Sequence, residues 1–186
     1  NQQLPRPILT PSTKAAHGDH DVSASREEIL AMTKLDPALF DRAAELAYAL
    51  FEAGASHARS RGLILVDTKY EFGVAPDGRV MVVDEIHTPD SSRYWFAASY
   101  AERFARAEEP ESFDKEYVRR WLSAQGYGGD GPPPPLTDEV RVEAARRYVT
   151  AYEQITGRKF TPDLSEPLPR LRKNLGLSDT ASRLPG

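Results

Sequence analysis

The sequence predicts an α+β fold, an antiparallel hairpin-centred sheet backed by helices, and three observations carry that reading. Two apolar runs with strand character, Leu63 to Phe72 and Val80 to Ile86, flank Pro76-Asp77-Gly78-Arg79, whose Asp-Gly pair suits a hairpin turn. Helix-spaced apolar stripes with capping signals lie on both sides of that pair. A length of 186 residues, 40 % hydrophobic and 28 % charged, suits a soluble globular domain or a domain and a half. No apolar run reaches the roughly 18 residues that a membrane span needs, and the start lacks the charged-then-apolar pattern of a signal peptide. The absence of cysteine excludes disulfides and thiolate chemistry and is compatible with a cytoplasmic location. A net charge of −4 argues against a nucleic-acid partner.

Taken in order, residues 1–24 read as an extended connector, with three prolines in the first 13 positions. His17 and His20, spaced i and i+3 beside Asp19 and Asp21, lack the further Cys or His partners of a zinc site. Residues 25–160 form the main lobe. Ser25 with Glu28 makes a capping box that opens a helix carrying Ile29, Leu30 and Met32. Asp36-Pro37 starts a second helix, whose stripe runs Leu39, Ala43, Leu46, Ala47, Leu50 and Ala53 before Gly62 hands the chain to the first strand. After Trp95 the aromatics Phe96, Tyr100 and Phe104 suggest a short helix over a cleft. Residues 113–124 give another helix, with Phe113, Val118, Trp121 and Leu122 inward, and Gly126 to Pro135 reads as a loop. Thr137 caps the last helix, with Val140, Ala144, Tyr148, Ala151, Tyr152 and Ile155 as its stripe and Gly157 at its end. Residues 161–186 are expected to be a loosely packed or disordered tail.

The chemistry gathers on the hairpin. Strand alternation puts Asp67, Lys69 and Glu71 on one side. A two- or four-residue loop at the turn sets Glu71 opposite Asp84. At about 5 Å and an effective dielectric near 20, two such carboxylates repel by about 3 kcal/mol. A hard divalent cation offsets that cost, and Mg²⁺ is commonly held by one or two carboxylates plus substrate phosphates. A solvated edge, or a one-residue bulge that separates the pair, removes the repulsion without a metal.

The segments Asp67-Thr68-Lys69-Tyr70-Glu71-Phe72-Gly73 and Asp84-Glu85-Ile86-His87-Thr88-Pro89-Asp90-Ser91-Ser92-Arg93-Tyr94-Trp95 resemble the paired signature of the SAICAR synthetase family. The resemblance extends to Leu9–Ala15, to Gly18-Asp19-His20-Asp21, to Ser112–Leu122 and to Tyr148–Gly157, so that nearly all of residues 4–160 is similar to the family. It implies the larger lobe of a two-lobed, kinase-like or ATP-grasp-like architecture, without the N-terminal ATP-binding lobe. It also implies ATP-dependent joining of carboxyaminoimidazole ribonucleotide to L-aspartate, giving SAICAR, ADP and phosphate in purine biosynthesis, with ATP and Mg²⁺ required.

By the same resemblance, Glu71 and Asp84 carry Mg²⁺ on the phosphates. Lys69 neutralises the reacting carboxylate or the transferred phosphoryl group, and Asp67 shares the catalytic face. Asp90, Ser92 and Arg93 bind substrate, and His20 and Asp21 face the cleft. The residues alone leave other roles open: Asp67 tying down Lys69, Arg93 capping a helix or pairing with Glu85, Ser91 and Ser92 serving only as turn residues. A different class also stays open, a catalytically incompetent nucleotide-binding or assembly module that needs a separate N-terminal half.

Overall fold

A computed structural model describes residues 1–12, 22–112 and 116–177. Its elements run α1 (Arg26–Met32), α2 (Pro37–Ser60), β1 (Leu63–Thr68), β2 (Phe72–Val74), β3 (Val80–Val82), β4 (Ser92–Phe96), α3 (Ala97–Ala105), α4 (Glu116–Ala124), α5 (Asp138–Thr156) and α6 (Pro167–Asn174). The α+β class stands. No described helix is long and apolar enough to cross a membrane.

Local signals place the helices. Ser25 Oγ accepts the Glu28 N–H at 3.2 Å while the Glu28 carboxylate accepts the Ser25 N–H at 2.7 Å, so α1 begins with two of its orphan donors satisfied. Asp36 accepts from the Ala38 N–H at 2.9 Å ahead of Pro37, and Thr137 accepts from the Val140 N–H. Gly157 closes α5 in the left-handed conformation, φ 68°. The inner stripe of α2 ends differently from expectation: Ala53 is exposed, whereas Ala47, Gly54 and Ala58 are buried. Of these, Ala58 packs against Leu63 and Leu65 of β1, and Gly54 makes room for the His87 ring. Ala58, Leu63, Leu65, Tyr94 and Ala151 form the core cluster, with Phe51, Phe96 and Ile155 packed onto it. Leu63 has no exposed surface, and burying such a side chain contributes about 1.5–3 kcal/mol.

The strands correct the expected hairpin. The first apolar run stops being a strand after Thr68, and β1 pairs antiparallel with β4, Leu63 opposite Phe96 and Thr68 opposite Ser92. The hairpin at Pro76-Asp77-Gly78 is a second, separate two-stranded sheet, β2 with β3, in which Phe72 faces Val82 and Val74 faces Val80. The Gly78 N–H reaches Ala75 O at 2.9 Å, the Ala75 N–H reaches Arg79 O at 2.9 Å, and Gly78 has φ 84°. A tight turn followed by a left-handed glycine makes a three-residue loop, not the two- or four-residue loop expected. The pairing therefore slips by one. The Val83 N–H bonds to Glu71 O at 3.0 Å, so Glu71 lies opposite Val83 and not Asp84, and the cross-strand repulsion inferred for that pair does not arise.

Helix α6 forms inside the segment expected to be a loose tail, but it buries nothing: Leu168 is 69 % and Leu171 51 % exposed. Positions 178–186 lie outside the described residues, as does Phe113.

Candidate functional site

The site is built on an irregularity in the β1–β4 ladder. Leu65 pairs with Tyr94 and Asp67 with Arg93, so β1 spends two residues where β4 spends one, and Val66 is the bulged position. Regular pairing would keep Asp67 on the core face with Leu63 and Leu65. The bulge turns it out instead, onto the exposed face of Arg93. There Arg93 Nε donates to Asp67 Oδ1 at 2.8 Å and its terminal N–H donates to the second carboxylate oxygen, a two-pronged ion pair. Next to it Ser92, 4 % exposed, donates to Thr68 Oγ1 at 2.9 Å. Just past the strand, the Lys69 N–H bonds to Ser91 O at 2.8 Å and the Lys69 ammonium sits 2.9 Å from Glu71 Oε1. Asp67 thus holds Arg93 rather than Lys69, and Arg93 holds Asp67 rather than Glu85.

The segment between β3 and β4 is tied at several points. Asp84 Oδ1 accepts the Glu85 N–H at 2.9 Å, and Glu85 accepts the Thr88 hydroxyl at 2.6 Å. Asp90 reaches across to α5, where Tyr148 Oη donates to Asp90 Oδ1 at 2.5 Å. That bond, with burial second, pushes the Tyr148 phenol up to about 12, so it remains a donor at neutral pH. Asp90 and Tyr148 line an open cleft of about 560 Å³ with Tyr117, Arg119, Tyr127 and Arg147. The Arg147 guanidinium lies 4.6 Å above the Tyr117 ring and donates to Glu143 at 2.8 Å.

His87 anchors the same segment. It has φ 59°, a left-handed backbone that costs a non-glycine residue about 1–3 kcal/mol and persists only where its surroundings enforce it. Tyr94 Oη donates to its carbonyl at 2.8 Å, and Tyr70 Oη lies 2.6 Å from its Nε2. Burial, then the neighbouring Tyr94, raises the Tyr70 phenol to about 12, against a smaller opposing effect of Thr68, so the phenol meets the His87 ring in its protonated form. Burial, with His57 second, holds the His87 ring below its ordinary range, which favours the neutral imidazole. A Cβ at Gly54 would lie 2.4 Å from His87 Cε1, so the ring occupies the space above a helix glycine.

Of the residues singled out in the sequence, Asp67, Ser92 and Arg93 come together at the end of the β1–β4 ladder, with Lys69 and Glu71 adjoining them. Asp90 faces α5, Asp84 is an exposed residue beyond β3, and His20 and Asp21 lie outside the described residues. Sequence reasoning placed Tyr148 in a core stripe and passed over Tyr70 and His87. The one available signal was Gly54 inside an otherwise helix-favouring stripe, where glycine costs about 1 kcal/mol relative to alanine and so points to a close contact. Glu71 and Asp84 are hard oxygen donors of the type that suits Mg²⁺. Among the described residues no group of three or more His, Cys, Asp or Glu gathers for a metal, so these two would serve only with substrate phosphates completing the shell.

The family model described as SAICAR synthetase matches residues 1–134, which include every strand of both sheets. The chain belongs to the SAICAR synthetase family. A putative phosphoribosylaminoimidazole-succinocarboxamide synthase 2 of Mesorhizobium japonicum is 49 % identical over 177 residues, covering 94 % of this chain and 56 % of the relative. A chloroplastic phosphoribosylaminoimidazole-succinocarboxamide synthase of Arabidopsis thaliana is 51 % identical over 162 residues, covering 86 % and 39 %. Among solved structures, the SAICAR synthase of Saccharomyces cerevisiae complexed with SAICAR superposes with a TM-score of 0.68 at 36 % identity, over 87 % of this chain and 50 % of that one. A SAICAR synthetase in complex with ADP gives 0.62 at 26 % identity, over 86 % and 55 %. The chain spans about half the length of the curated relatives it matches.

Proposed function

We propose that this chain supplies one wall of the active site of an ATP-dependent ligase that joins carboxyaminoimidazole ribonucleotide to L-aspartate. The observation that carries the reading is the family match across both site-bearing segments, Asp67 to Gly73 and Asp84 to Trp95. It is supported by the yeast neighbour, a SAICAR complex, and by the ADP complex of another.

The chemistry starts from a carboxylate, a poor electrophile. Its oxygen takes the γ-phosphoryl group of ATP and ADP leaves. The aspartate amine then attacks the acyl carbon, the C–N bond forms as the C–O bond to phosphate breaks, the amine loses a proton, and inorganic phosphate departs. Phosphoryl transfer of this kind rests mostly on positioning and charge neutralisation. Lys69 offers an ammonium for the carboxylate or the transferred group, held ready by Glu71 2.9 Å away. Arg93, planar by resonance and oriented by its two bonds to Asp67, would turn its other guanidinium edge to the phosphate or carboxylate of the ribonucleotide, with Ser92 beside it. Asp67 and Asp90 accept polar or ammonium groups of the nucleotide and of aspartate. Glu71 and Asp84 would hold Mg²⁺, which when bound supplies charge neutralisation on the nucleotide phosphates. Residues His20 and Asp21 are proposed to face the substrate, and the setting proposed is the cytoplasm.

The share of the relatives covered, 56 % of the Mesorhizobium protein, favours a second statement: alone, the chain is a binding or assembly half without turnover. Purified chain is expected to release no ADP with ribonucleotide and aspartate present, and to do so once the remainder of a family member is supplied in cis or in trans. ADP release by the complemented protein that does not require both co-substrates would overturn the ligase reading; turnover by the chain alone would overturn the second.

A further inference from the structure

We propose that His87 is a positioning residue: its ring, seated over Gly54 and bonded to Tyr70, holds the segment from Asp84 to Asp90 against α2 in the one conformation that presents both carboxylates. As a claim about the site's function this rests on the ligase reading above; as a claim about the segment it stands alone.

Three independent features converge on this residue. Its backbone is left-handed, φ 59°, and such outliers persist where the surroundings over-determine them, as at ligand-binding sites. Its neighbours do over-determine it. The Tyr94 hydroxyl fixes the carbonyl at 2.8 Å and comes from β4, a strand whose Tyr94 is buried in the core cluster. The Tyr70 hydroxyl fixes the ring at 2.6 Å, the two rings meeting edge to face with centroids 5.6 Å apart, and comes from the short link between β1 and β2 that carries Lys69 and Glu71. The third contact is α2 itself. An added Cβ at Gly54 would fall 2.4, 2.5 and 2.9 Å from three atoms of the imidazole, closer than real contacts allow, so the helix accepts this ring only because position 54 is glycine.

One side chain therefore joins the longest helix, the link bearing Lys69 and Glu71, and the segment bearing Asp84 and Asp90. Among the described residues Tyr70 meets the ring, Tyr94 meets the carbonyl of the same residue, and the charge of His57 on α2 acts on the ring together with burial. Its work is geometric, a ring that fills the socket over Gly54 and bonds to the Tyr70 hydroxyl, and small shifts of a catalytic group can lower rate by about 10²-fold.

The test uses Gly54→Ala, which drives a methyl into the ring without touching any proposed ligand, and His87→Asn, which keeps left-handed backbone and an acceptor while shortening the side chain. Amide hydrogen exchange of the intact protein reads the segment directly. In Gly54→Ala, exchange at 83–91 is expected to accelerate at least about tenfold while α5 keeps its protection. Adding His87→Asn to Gly54→Ala, which removes the ring that the methyl would strike, is expected to bring exchange at 83–91 to the level of the single His87→Asn variant and not back to wild type. Unchanged exchange at 83–91 in Gly54→Ala, or wild-type exchange in the double variant, would overturn the proposal. If Gly54→Ala fails to fold, the single His87→Asn decides it: faster exchange confined to 83–91 supports, wild-type exchange refutes. In the complemented enzyme the same variants are expected to raise the KM for the ribonucleotide and lower kcat. Because exchange needs no turnover, a complemented protein that makes no SAICAR would sink the ligase reading while leaving this test in force.

Discussion

The two small sheets differ in what holds them. In the β1–β4 ladder Leu63, Leu65 and Tyr94 are 0, 5 and 3 % exposed, clamped between α2 and α5. In the β2–β3 hairpin, which has three residue pairs, Val74 and Met81 are 53 and 49 % exposed, and Val83 just past β3 is 58 % exposed. A two-stranded hairpin is marginal by itself, whereas a ladder buried on one face takes its geometry from the core. The candidate site straddles this divide. Asp67, Ser92 and Arg93 belong to the buried ladder, and Glu71 and Asp84 flank the exposed hairpin. The lesson is that the chain anchors Arg93, proposed to meet the ribonucleotide, on the buried ladder and leaves Glu71 and Asp84, the carboxylates proposed for Mg²⁺, beside an exposed hairpin.

The sharpest way to break this contrast is to truncate one apolar residue in each sheet. Leu63→Ala is expected to destabilise by about 2–5 kcal/mol in urea denaturation, and Val83→Ala by less than about 0.5 kcal/mol. Equal losses would mean that the hairpin is as deeply held as the ladder. Next, Glu71→Gln and Asp84→Asn are each expected to reduce SAICAR formation by about 10²-fold in the complemented enzyme with the urea midpoint nearly unchanged. Wild-type turnover and Mg²⁺ dependence in both variants would strip these carboxylates of their role.

Arg93→Lys comes third. It keeps the charge but loses the fork, so ribonucleotide affinity is expected to fall about tenfold while ATP affinity changes much less, as measured by calorimetry. Equal changes for both ligands would make Arg93 a strut for Asp67. The smallest effect concerns pH. His87 free in an unfolded chain takes a proton near pH ~6.5, and in the fold it does so only at lower pH, because it is buried and near His57. Between those values the unfolded state binds more protons. The contribution of His87 to stability is therefore intact above about pH 6.5 and lost as the pH falls through the lowered value. An NMR titration that places its ring above 6.5 would reverse the sign.

What could be read from the sequence was what local chemistry decides. Ser25 with Glu28, Asp36-Pro37, Thr137 and Gly157 mark helix ends within a few residues, and each does so in the structure. Long-range pairing was not legible in the same way. The run from Leu63 to Phe72 looks continuous, yet the partner that captures its first half is 92–96, and nothing within the run announces that choice. The hairpin register turned on whether Gly78 occupied a two-, three- or four-residue loop, and a single Asp-Gly pair is consistent with all of them. Hence Asp67, Lys69, Glu71 and Arg93 could be singled out from the sequence while their pairing could not: Asp67 with Lys69 and Arg93 with Glu85 were only open alternatives, and Glu71 was placed opposite the wrong neighbour.

Val66 shows how much a site can depend on counting rather than on identity. The extra residue shifts the phase of β1 against β4, and every position beyond it inherits that shift. Were Val66 paired in regular register opposite Arg93, alternation would aim the carboxylate of Asp67 into the apolar layer beside Leu65. Exchanging side chains at 67 or 93 could not repair such a slip, because the fault would lie in the register. Loss of Val66 would do the reverse: Asp67 would follow Leu65 directly, alternate to the other face and still stand opposite Arg93 in a ladder without a bulge. The carboxylate facing its arginine should thus survive deletion of Val66 better than a change that forces Val66 into the pairing.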